Sequence, residues 1–436
     1  MKKLAALLLC ALTLLLPLSA CGPKPSGPLR VCLDLGLDEI DSSKAESAFK
    51  SLMKTVASMG GPEEYELELV PPEGEERMGA LTRLKAEIMG GSGPDLIMTC
   101  YASKEGLLFP YPEKSAGNGL FLNLDKYMEK SEITEWDQQI QPVLNAGKTE
   151  KGQFIIPLSY QFNMSCFLKE DVSHTPDRSK TWEETAAGGD IIDKACTAYW
   201  GGSPQKIEGT GDMTVHNTLG RLADFDKEEL LFTAGQLKER IHRNFELLDE
   251  SDAEAFGDTP TYFQPLSCAG FIGRGSGIDE SATLTYIPLY SRDGGVTASV
   301  RSYAVISAGS RHKDDAFLVL DYLMSLESQQ SGTFYNSYLA FRGTFGGFPM
   351  DSRLMSEEYP VKLRGSDSWS LSKENFDGLR AVQDSITAVN FFDTVTVGVY
   401  ELESRCLDIH TGFEEGDIDQ LVDETCRVLA MSLQES

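Results

Sequence analysis

The chain has 436 residues, 41% of them hydrophobic and 24% charged, which is ordinary for a globular protein with room for two or three domains. Acidic residues outnumber basic ones by 67 to 39, and the formal net charge of -28 argues against nucleic acid as a partner, because such a surface repels phosphate. We attribute this acidity to solubility. The more specific alternative is that it favours neutral or cationic ligands.

The first twenty residues have the pattern of a secretory signal. Lys2 and Lys3 precede an uncharged apolar run, Leu4–Leu16, that is too short to span a bilayer comfortably. The tetrad Leu18-Ser19-Ala20-Cys21 resembles the lipobox of bacterial lipoproteins, in which the cysteine is acylated and becomes the mature N-terminus. We therefore predict a signal peptide over 1–20, lipidation of Cys21 and a flexible or extended tether over 21–28. The alternative is an ordinary secretory signal whose cysteine falls there by chance.

Beyond the tether, strand and helix patterns alternate along the chain. Alternating or continuous apolar residues predict the strands, and apolar residues at helical spacing predict the helices. The predicted strands cover 29–37, 65–70, 96–98, 154–157, 164–168 and 300–307, and the predicted helices cover 43–58, 77–89, 314–326 and 418–429. This order predicts an α/β fold with a largely parallel sheet, because strand–helix–strand units lay their strands side by side in one direction.

Seven cysteines remain once Cys10 leaves with the signal and Cys21 carries lipid: Cys32, Cys100, Cys166, Cys196, Cys268, Cys406 and Cys426. An odd number cannot pair completely within one chain, and whether any of them pair stays open. No two are separated by only two residues, so neither a zinc knuckle nor a redox dithiol is predicted. We expect most of them to be small core residues.

Motifs for catalysis or cofactor binding are missing from the sequence. It contains no HExxH zinc helix, no GxxxxGK[ST] phosphate loop and no GxSxG nucleophile elbow. Ser51 and Lys54 match an SxxK pattern, but the companion SDN and KTG elements are absent and the segment fits an amphipathic helix. We therefore predict no enzyme activity, no cofactor and no metal site, although a pair of carboxylates in a cleft would leave no signature in the sequence.

Aromatic and amide side chains near predicted strand ends are the candidate ligand-binding residues. Ligands of α/β sheets bind beyond the carboxyl ends of strands, and flat aromatic faces fit the apolar C–H patches of sugar rings. Amide groups can satisfy the donors and acceptors of sugar hydroxyls. The candidates are Tyr101, Trp136, Tyr160, Gln161, Asn163, Trp200, Phe271 and Tyr303. For any one of the aromatics, a place in the hydrophobic core is the alternative.

Five segments, in order, resemble the extracellular solute-binding proteins (family 1, sugar-type) of bacterial ABC importers. They are Arg83–Ile97, with a helix, a glycine turn and a Pro-Asp strand; Leu122–Tyr127, similar to an L-D-x-Y helix start; Gly152–Pro157, similar to a G-K-x-Y-G-x-P cleft strand; Thr181–Glu184, similar to T-W-x-E; and Val305–Gln330, similar to an A-I-S strand with its following helix. Their order over nearly the whole mature chain, together with the lipobox-like tetrad, carries the resemblance.

The resemblance implies an α/β fold of two hinge-linked lobes, the type II architecture of periplasmic binding proteins, with a mostly parallel sheet flanked by helices in each lobe. It implies an N-terminal lobe of residues 29–158 with 302–346 and a C-terminal lobe of residues 159–301 with 347–436. The chain should cross between the lobes near Leu158–Phe162, Ala298–Ser302 and Thr344–Pro349. A solute should bind between the lobes and be enclosed when the hinge closes.

The function that this resemblance implies is capture of a small solute, with a saccharide as the leading class, and its delivery to the permease subunits of an ABC importer. We expect a monomer at the extracellular face of the cell membrane, held by its lipid anchor. Two departures leave the ligand open: Cys166–Glu170 lacks the family's asparagine, and Cys196–Ala269 matches poorly. The alternatives are a receptor of the same fold that feeds a sensor system, a secreted hydrolase, or a peptide, polyamine or metal-chelate ligand.

Overall fold

A computed structural model describes residues 27–35, 39–100, 106–172, 177–188, 200–201, 212–213, 215–250, 282–331, 347–362 and 368–435. The predicted signal peptide, Cys21, most of the tether, and the candidates Tyr101 and Phe271 lie outside the described residues. Trp200 lies within them by its backbone alone. None of the helices in the described part is long and apolar enough to cross a membrane.

The described strands, numbered in chain order, are β1 Leu29–Asp34, β2 Tyr65–Leu69, β3 Leu96–Cys100, β4 Lys148–Thr149, β5 Gly152–Gln153, β6 Ile156–Gln161, β7 Met164–Leu168, β8 Trp200–Gly201, β9 Asp212–Met213, β10 Ala223–Asp224, β11 Glu229–Leu230, β12 Leu284–Pro288, β13 Val296–Ile306, β14 Phe348–Pro349, β15 Val361–Lys362, β16 Ser368–Trp369 and β17 Ile386–Phe391.

The described helices are α1 Glu39–Ser58, α2 Gly74–Met89, α3 Pro112–Gly117, α4 Asp125–Met128, α5 Gln141–Ala146, α6 Trp182–Ala186, α7 Val215–Thr218, α8 Ala234–Glu250, α9 Lys313–Met324, α10 Leu326–Gln330, α11 Lys373–Gln383, α12 Thr394–Thr411 and α13 Ile418–Glu435. Every element predicted from the sequence has a counterpart among these strands and helices. The strand predicted over 154–157 begins two residues later, because the N–H groups of Phe154 and Ile155 both donate to the carbonyl of Gly147 in a turn.

The largest sheet has the strand order β14-β6-β13-β3-β1-β2, and β17 also pairs with β13. β1 runs parallel to β2 and to β3, as the alternation of strands and helices predicts, whereas β13 runs antiparallel to β3 and β6. β1 and β3 are buried almost throughout. β3 is apolar apart from Thr99, and β1 is apolar apart from Arg30 and Asp34, because a parallel sheet is covered on both faces.

β13 changes partners halfway along its length. Its first half, Val296–Val300, pairs in parallel with β17. Its second half, Ser302–Ile306, pairs antiparallel with β3, and part of it pairs with β6 as well. The register against β6 shifts between Ser302 and Tyr303. The two halves of one strand therefore belong to two groups of elements: the first group contains β1–β3 with α1–α3, and the second contains β17 with α7, α8, α12 and α13.

The helices of the second group have a hydrophobic core of their own. Their apolar faces bury Leu237, Ile241, Val399, Leu402 and Val422 in a cluster distinct from the one around the main sheet. Nearby in sequence, β7 and β12 form an antiparallel pair, and α11 packs against β12. The core of these helices is therefore separate from that of the main sheet, whereas β17 itself packs in the core of the main sheet.

Glycine is required just before β14. Gly347 has φ +139°, and a Cβ at this position would lie 2.5 Å from the carbonyl oxygen of Tyr160. The close approach is the result of pairing, because the next residue, Phe348, pairs with Tyr160 in β6. Only a residue without a side chain lets the two strands meet at this distance.

We expect Gly347→Ala to lower the free energy of unfolding by about 1–3 kcal/mol, because the added methyl group forces β14 away from β6. Gly117→Ala is the matched control, since nothing lies within 4 Å of a Cβ there. Urea unfolding of both variants measures the difference. Equal stabilities would mean that the backbone at β14 adjusts without cost.

Candidate ligand-binding cleft

The carboxyl ends of β1 and β17 meet near the middle of β13. β1 ends at Asp34 beside β3, and β3 pairs with β13 at Tyr303. β17 ends at Phe391, whose ring meets that of Tyr303 edge-on with 5.4 Å between the ring centroids. Ligands of α/β folds bind beyond such strand ends. We call Asp34, Tyr303 and Asp393, which starts the helix after β17, the junction site.

Asp34 is held in place by Arg77 of α2. Both side chains are 3% exposed, and the guanidinium donates to Asp34 Oδ1 at 2.7 Å and to Oδ2 at 3.3 Å. It also donates to the carbonyl oxygens of Pro71, at 3.1 Å, and Gly106, at 2.9 Å. Burial raises the pKa of Asp34, and Arg77 opposes that rise. One cation therefore neutralises Asp34 and ties together the segments that follow β1, β2 and β3.

Tyr303 lies between the two groups of elements. Its side chain is buried, and burial raises its pKa well above the ordinary value. The carboxylates of Asp34 and Asp393 raise this pKa further. Asp34 belongs to the first group and Asp393 to the second, so the phenol interacts electrostatically with one carboxylate from each group.

Asp393 caps the N-terminus of α12. Its side chain accepts a hydrogen bond from the backbone N–H of Thr396 at 2.8 Å. Burial raises the pKa of Asp393 to about 7, Glu113 adds to the rise, and Thr396 and Arg221 oppose it. This carboxylate therefore gains or loses its proton near neutral pH.

The segment from Pro110 to Lys114 joins the first group of elements to the second. Four of its residues make polar contacts with the second group, and two of these contacts are ion pairs. The contacts are Thr394 N and Oγ1 to the carbonyl of Pro110 at 3.0 and 3.1 Å, Tyr111 to Ser432 at 2.7 Å, Arg221 to Glu113 at 2.6 Å, and Lys114 to Glu228 at 2.7 Å. Thr394 follows Asp393 directly, so these contacts reach the junction site itself.

Tyr160 packs in the core beside the junction. It is 0% exposed, and its hydroxyl accepts a hydrogen bond from Gln383 Nε2 at 2.7 Å. Its ring packs against Phe162 and Phe348 with centroid distances of 6.1 and 5.7 Å. These contacts hold β6, β14 and α11 together. A direct contact of Tyr160 with ligand stays a prediction.

The other described candidates are not brought together with Tyr303. Trp136 packs on α9, where its ring centroid lies 6.3 Å from that of Phe317. Gln161 ends β6 and Asn163 precedes β7, and both are half-buried. The carbonyl of Asn163 accepts a hydrogen bond from Leu289 N at 2.9 Å. Their contact with ligand, like that of Trp200, remains a prediction.

Of the junction residues, only Tyr303 is predicted from the sequence. Asp34 carries a signal that could have found it, since it is a lone carboxylate closing the apolar strand LRVCLD. Asp393 precedes Thr-Val-Thr and has the pattern of an ordinary helix cap. Nothing local to Asp393 shows that a buried tyrosine and a second carboxylate lie beside it.

The buried thiols belong to the core, as the sequence predicts. Cys32, Cys406 and Cys426 are buried free thiols, and Cys100 is buried as well. Burial raises the pKa of Cys406 to about 12 and that of Cys426 to about 11, which keeps both in the unreactive thiol form. Within the described ranges, no group of His, Cys, Asp and Glu side chains is arranged to hold a metal ion.

Comparison with known proteins reveals a likeness of fold at low sequence identity. No protein-family model matches the chain, and no curated protein matches its sequence. A family 1 extracellular solute-binding protein from Alicyclobacillus acidocaldarius is 14% identical with a TM-score of 0.54, over 95% of this chain and 100% of the other. The sugar-binding protein MalE from Xanthomonas citri is 13% identical with a TM-score of 0.53, over 94% and 98%. A periplasmic oligogalacturonide-binding protein from Yersinia enterocolitica is 14% identical with a TM-score of 0.52, over 94% and 99%.

At this level of identity the likeness establishes the fold. The chain has the α/β, two-lobe fold of periplasmic solute-binding proteins, and the matches run almost from end to end of both partners. The fold class predicted from the sequence is therefore confirmed, as is the resemblance in architecture to family 1. The ligand must be argued from the site, because one fold serves many functions.

Asp393→Asn should reveal the cost of burying this carboxylate, since asparagine keeps the helix cap and loses the charge. The folded pKa of about 7 exceeds that of an unfolded aspartate, so the folded protein holds the extra proton and its stability falls as pH rises between the two values. We expect the free energy of unfolding of wild type to fall by a few kcal/mol relative to that of the variant between about pH 4 and about pH 7. Above about pH 7 the difference should stay constant.

Urea unfolding of wild type and Asp393→Asn at a series of pH values measures this difference. Subtracting one free energy from the other cancels the titration of groups that do not interact with Asp393. A difference that stays constant across the range would mean that Asp393 titrates normally in the folded protein.

Proposed function

We propose that the protein is an extracellular receptor that binds a small solute, a saccharide, between its two lobes and delivers it to an ABC importer. The observation that carries this proposal is the adjacency of β6, β13 and β14 where the two groups of elements join. Ser302 pairs with Ser159, and Phe348 pairs with Tyr160. Three adjacent connections form one hinge, and hinge closure around a ligand is how such lobes enclose a solute.

The lobes of the proposed receptor are residues 29–158 with 302–346 and residues 159–301 with 347–436. The register shift between Ser302 and Tyr303 supports the boundary in β13. The pairing of Phe348 with Tyr160 supports the boundaries in β6 and β14. Bending at these positions would leave the hydrogen bonds within each lobe intact.

A saccharide is the solute class that the fold and the site favour. Two proteins of this fold are named for binding sugars, MalE and the oligogalacturonide-binding protein. The junction site offers the ring of Tyr303 and two carboxylates, which accept hydrogen bonds from hydroxyl groups. Tyr303 is the candidate best placed for ligand contact, joined by Asp34 and Asp393. Tyr160 supports the hinge in this proposal.

The receptor would be held at the extracellular face of the cell membrane by lipid on Cys21, acting as a monomer with the permease subunits as its partners. It would bind its solute without converting it. The supporting observations are the lipobox-like tetrad before Cys21 and a fold whose named neighbours are binding proteins.

We expect at least one saccharide to raise the melting temperature of the protein and to be recovered unchanged. A ligand present at about a hundred times its dissociation constant stabilises a fold by about 2.7 kcal/mol. A thermal-shift screen of mono- and oligosaccharides, with peptides and polyamines as comparison sets, tests this. Tyr303→Phe keeps the buried ring and should weaken binding of the active sugar. Stabilisation by peptides alone, or hydrolysis of the sugar, would contradict the proposal.

Cys21→Ala should move the protein from the membrane fraction to the soluble fraction, because acyl chains attached there would be its anchor. Cys10→Ala is the matched control, since Cys10 lies in the predicted signal peptide and should leave anchoring unchanged. Membrane fractionation followed by immunoblotting measures the distribution. A Cys21→Ala protein that stays in the membrane fraction would rule out this anchor.

A further inference from the structure

The hydroxyl of Tyr303 makes no hydrogen bond to any of the described residues. Tyr303 as a whole is 5% exposed, so little of its side chain is in contact with water. Asp34 and Asp393, one from each group of elements, lie within electrostatic range of this phenol. An unpartnered hydroxyl at the meeting point of two lobes indicates a place where a ligand group binds.

Among the described residues, the two arginines at the junction site are already engaged. Arg77 donates to both carboxylate oxygens of Asp34. Arg221 donates to Glu113 Oε1 at 2.6 Å and to the carbonyl of Val389 at 3.2 Å. In the described part of the chain, no lysine, arginine or histidine forms an ion pair with Asp393, whose hydrogen-bond donors come from Thr396. The negative charge of an ionised Asp393 is therefore opposed there only by Arg221, which Glu113 already holds.

We propose that this charge makes the junction site selective for an amine-bearing saccharide, whose ammonium group binds Asp393 and the Tyr303 hydroxyl. The inference rests on the proposed function, because it assigns the chemistry of the same cleft. It names Asp393 and Tyr303 as the residues that determine specificity.

An ammonium group fits both partners. It has three hydrogen-bond donors and no acceptor, so it can donate to the carboxylate of Asp393 and to the phenol oxygen of Tyr303. A neutral sugar would leave the charge of Asp393 uncompensated in a dry site. A sugar carboxylate would be repelled, since neither Arg77 nor Arg221 is free to receive it. The fold alone does not decide among amine-bearing, neutral and acidic saccharides. One protein of this fold is named for binding an oligogalacturonide, which is an acidic saccharide.

Protonation of Asp393 competes with the ammonium group. Among the described residues, the titratable and charged groups that face Asp393 are Tyr111 ahead of α3, Glu113 of α3, Arg221 ahead of β10 and Tyr303 of β13. Burial raises the pKa of Glu113 as well, against the opposing effect of Arg221, so both carboxylates take up protons in the same direction. Affinity for an amine should therefore fall as pH decreases below about 7.

The experiment compares three saccharides that differ in charge: glucose, glucosamine and glucuronate, with the disaccharides of each series. Isothermal titration calorimetry on the purified full-length protein at about pH 7 should show the amine series binding about tenfold tighter than the neutral series, the effect of one charge-assisted hydrogen bond. The acidic series should bind weakest. At about pH 5.5 the ratio of amine to neutral affinity should decrease, although the amino sugar itself is more fully protonated there.

Asp393→Asn should bring the ratio of amine to neutral affinity to about one, because it removes the charge and keeps the helix cap. Asp137→Asn changes the net charge equally at an exposed position and should keep the preference. Tyr303→Phe, which retains the ring, should reduce the preference without the risk to α12.

Neutral or acidic saccharides that bind wild type as tightly as the amine series would overturn the amine selectivity and leave the proposed function standing. Binding by none of the three series would overturn the proposed function and the selectivity with it. A preference that survives Asp393→Asn would also overturn the inference, since the charge would then lie elsewhere.

Discussion

The structure depends on one strand that must satisfy two sets of partners. β13 has eleven residues, Val296–Ile306, and hydrogen-bonds β17 along its first half and β3 along its second. A paired strand cannot bend sharply without leaving backbone groups unbonded, and unbonded groups in the interior are costly. The angle between the two groups of elements can therefore change only where pairing is already irregular. The irregularity nearest the change of partners is Ser302–Tyr303, where the register against β6 shifts and the hydroxyls of Ser159 and Ser302 lie 2.6 Å apart.

The same constraint explains why charged groups are buried at the junction. β1 and β17 deliver their carboxyl ends to the middle of β13, so the residues after them are enclosed by both groups of elements. Asp34 is stable there because Arg77 neutralises it with two hydrogen bonds, and removing one partner of such a pair leaves an uncompensated buried charge. Asp393 receives no such partner in the described chain. Its pKa of about 7 follows from this difference, because burial favours the neutral form and Arg221, which Glu113 engages, opposes that effect only in part.

Most of the fold is predictable from the sequence because it rests on local patterns, whereas the site rests on distant residues. Alternation over 29–37 predicts β1, and the apolar run 96–98 predicts β3. Thr181-Trp182-Glu183-Glu184 predicts a helix start, which the structure shows as a capping box on Thr181 with Trp182 buried. Tyr160 follows a proline in an apolar strand. Cleft tyrosines and core tyrosines share this pattern. A strand buried on both faces has no polar alternation that would distinguish the two. Asp34, Tyr303 and Asp393 meet only because β13 joins the lobes, and no short-range spacing encodes that meeting.

In the proposed receptor, lobe closure and solute charge are linked through Asp393. A solute shifts a conformational equilibrium only by its difference in affinity for the two states. Thr394 bonds Pro110, and Arg221 bonds Glu113, so polar contacts already join the two proposed lobes. Lys114 adds a partly buried ion pair with Glu228, whose side chain is 43% exposed, and a hydrogen bond to the carbonyl of Leu433 at 2.8 Å. The main opposition comes from Asp393 and Glu113, two buried carboxylates that share one guanidinium. A proton on Asp393 relieves that repulsion, and so does a cation bound beside it, which makes acid and a cationic solute two competing ways to neutralise the same closed junction.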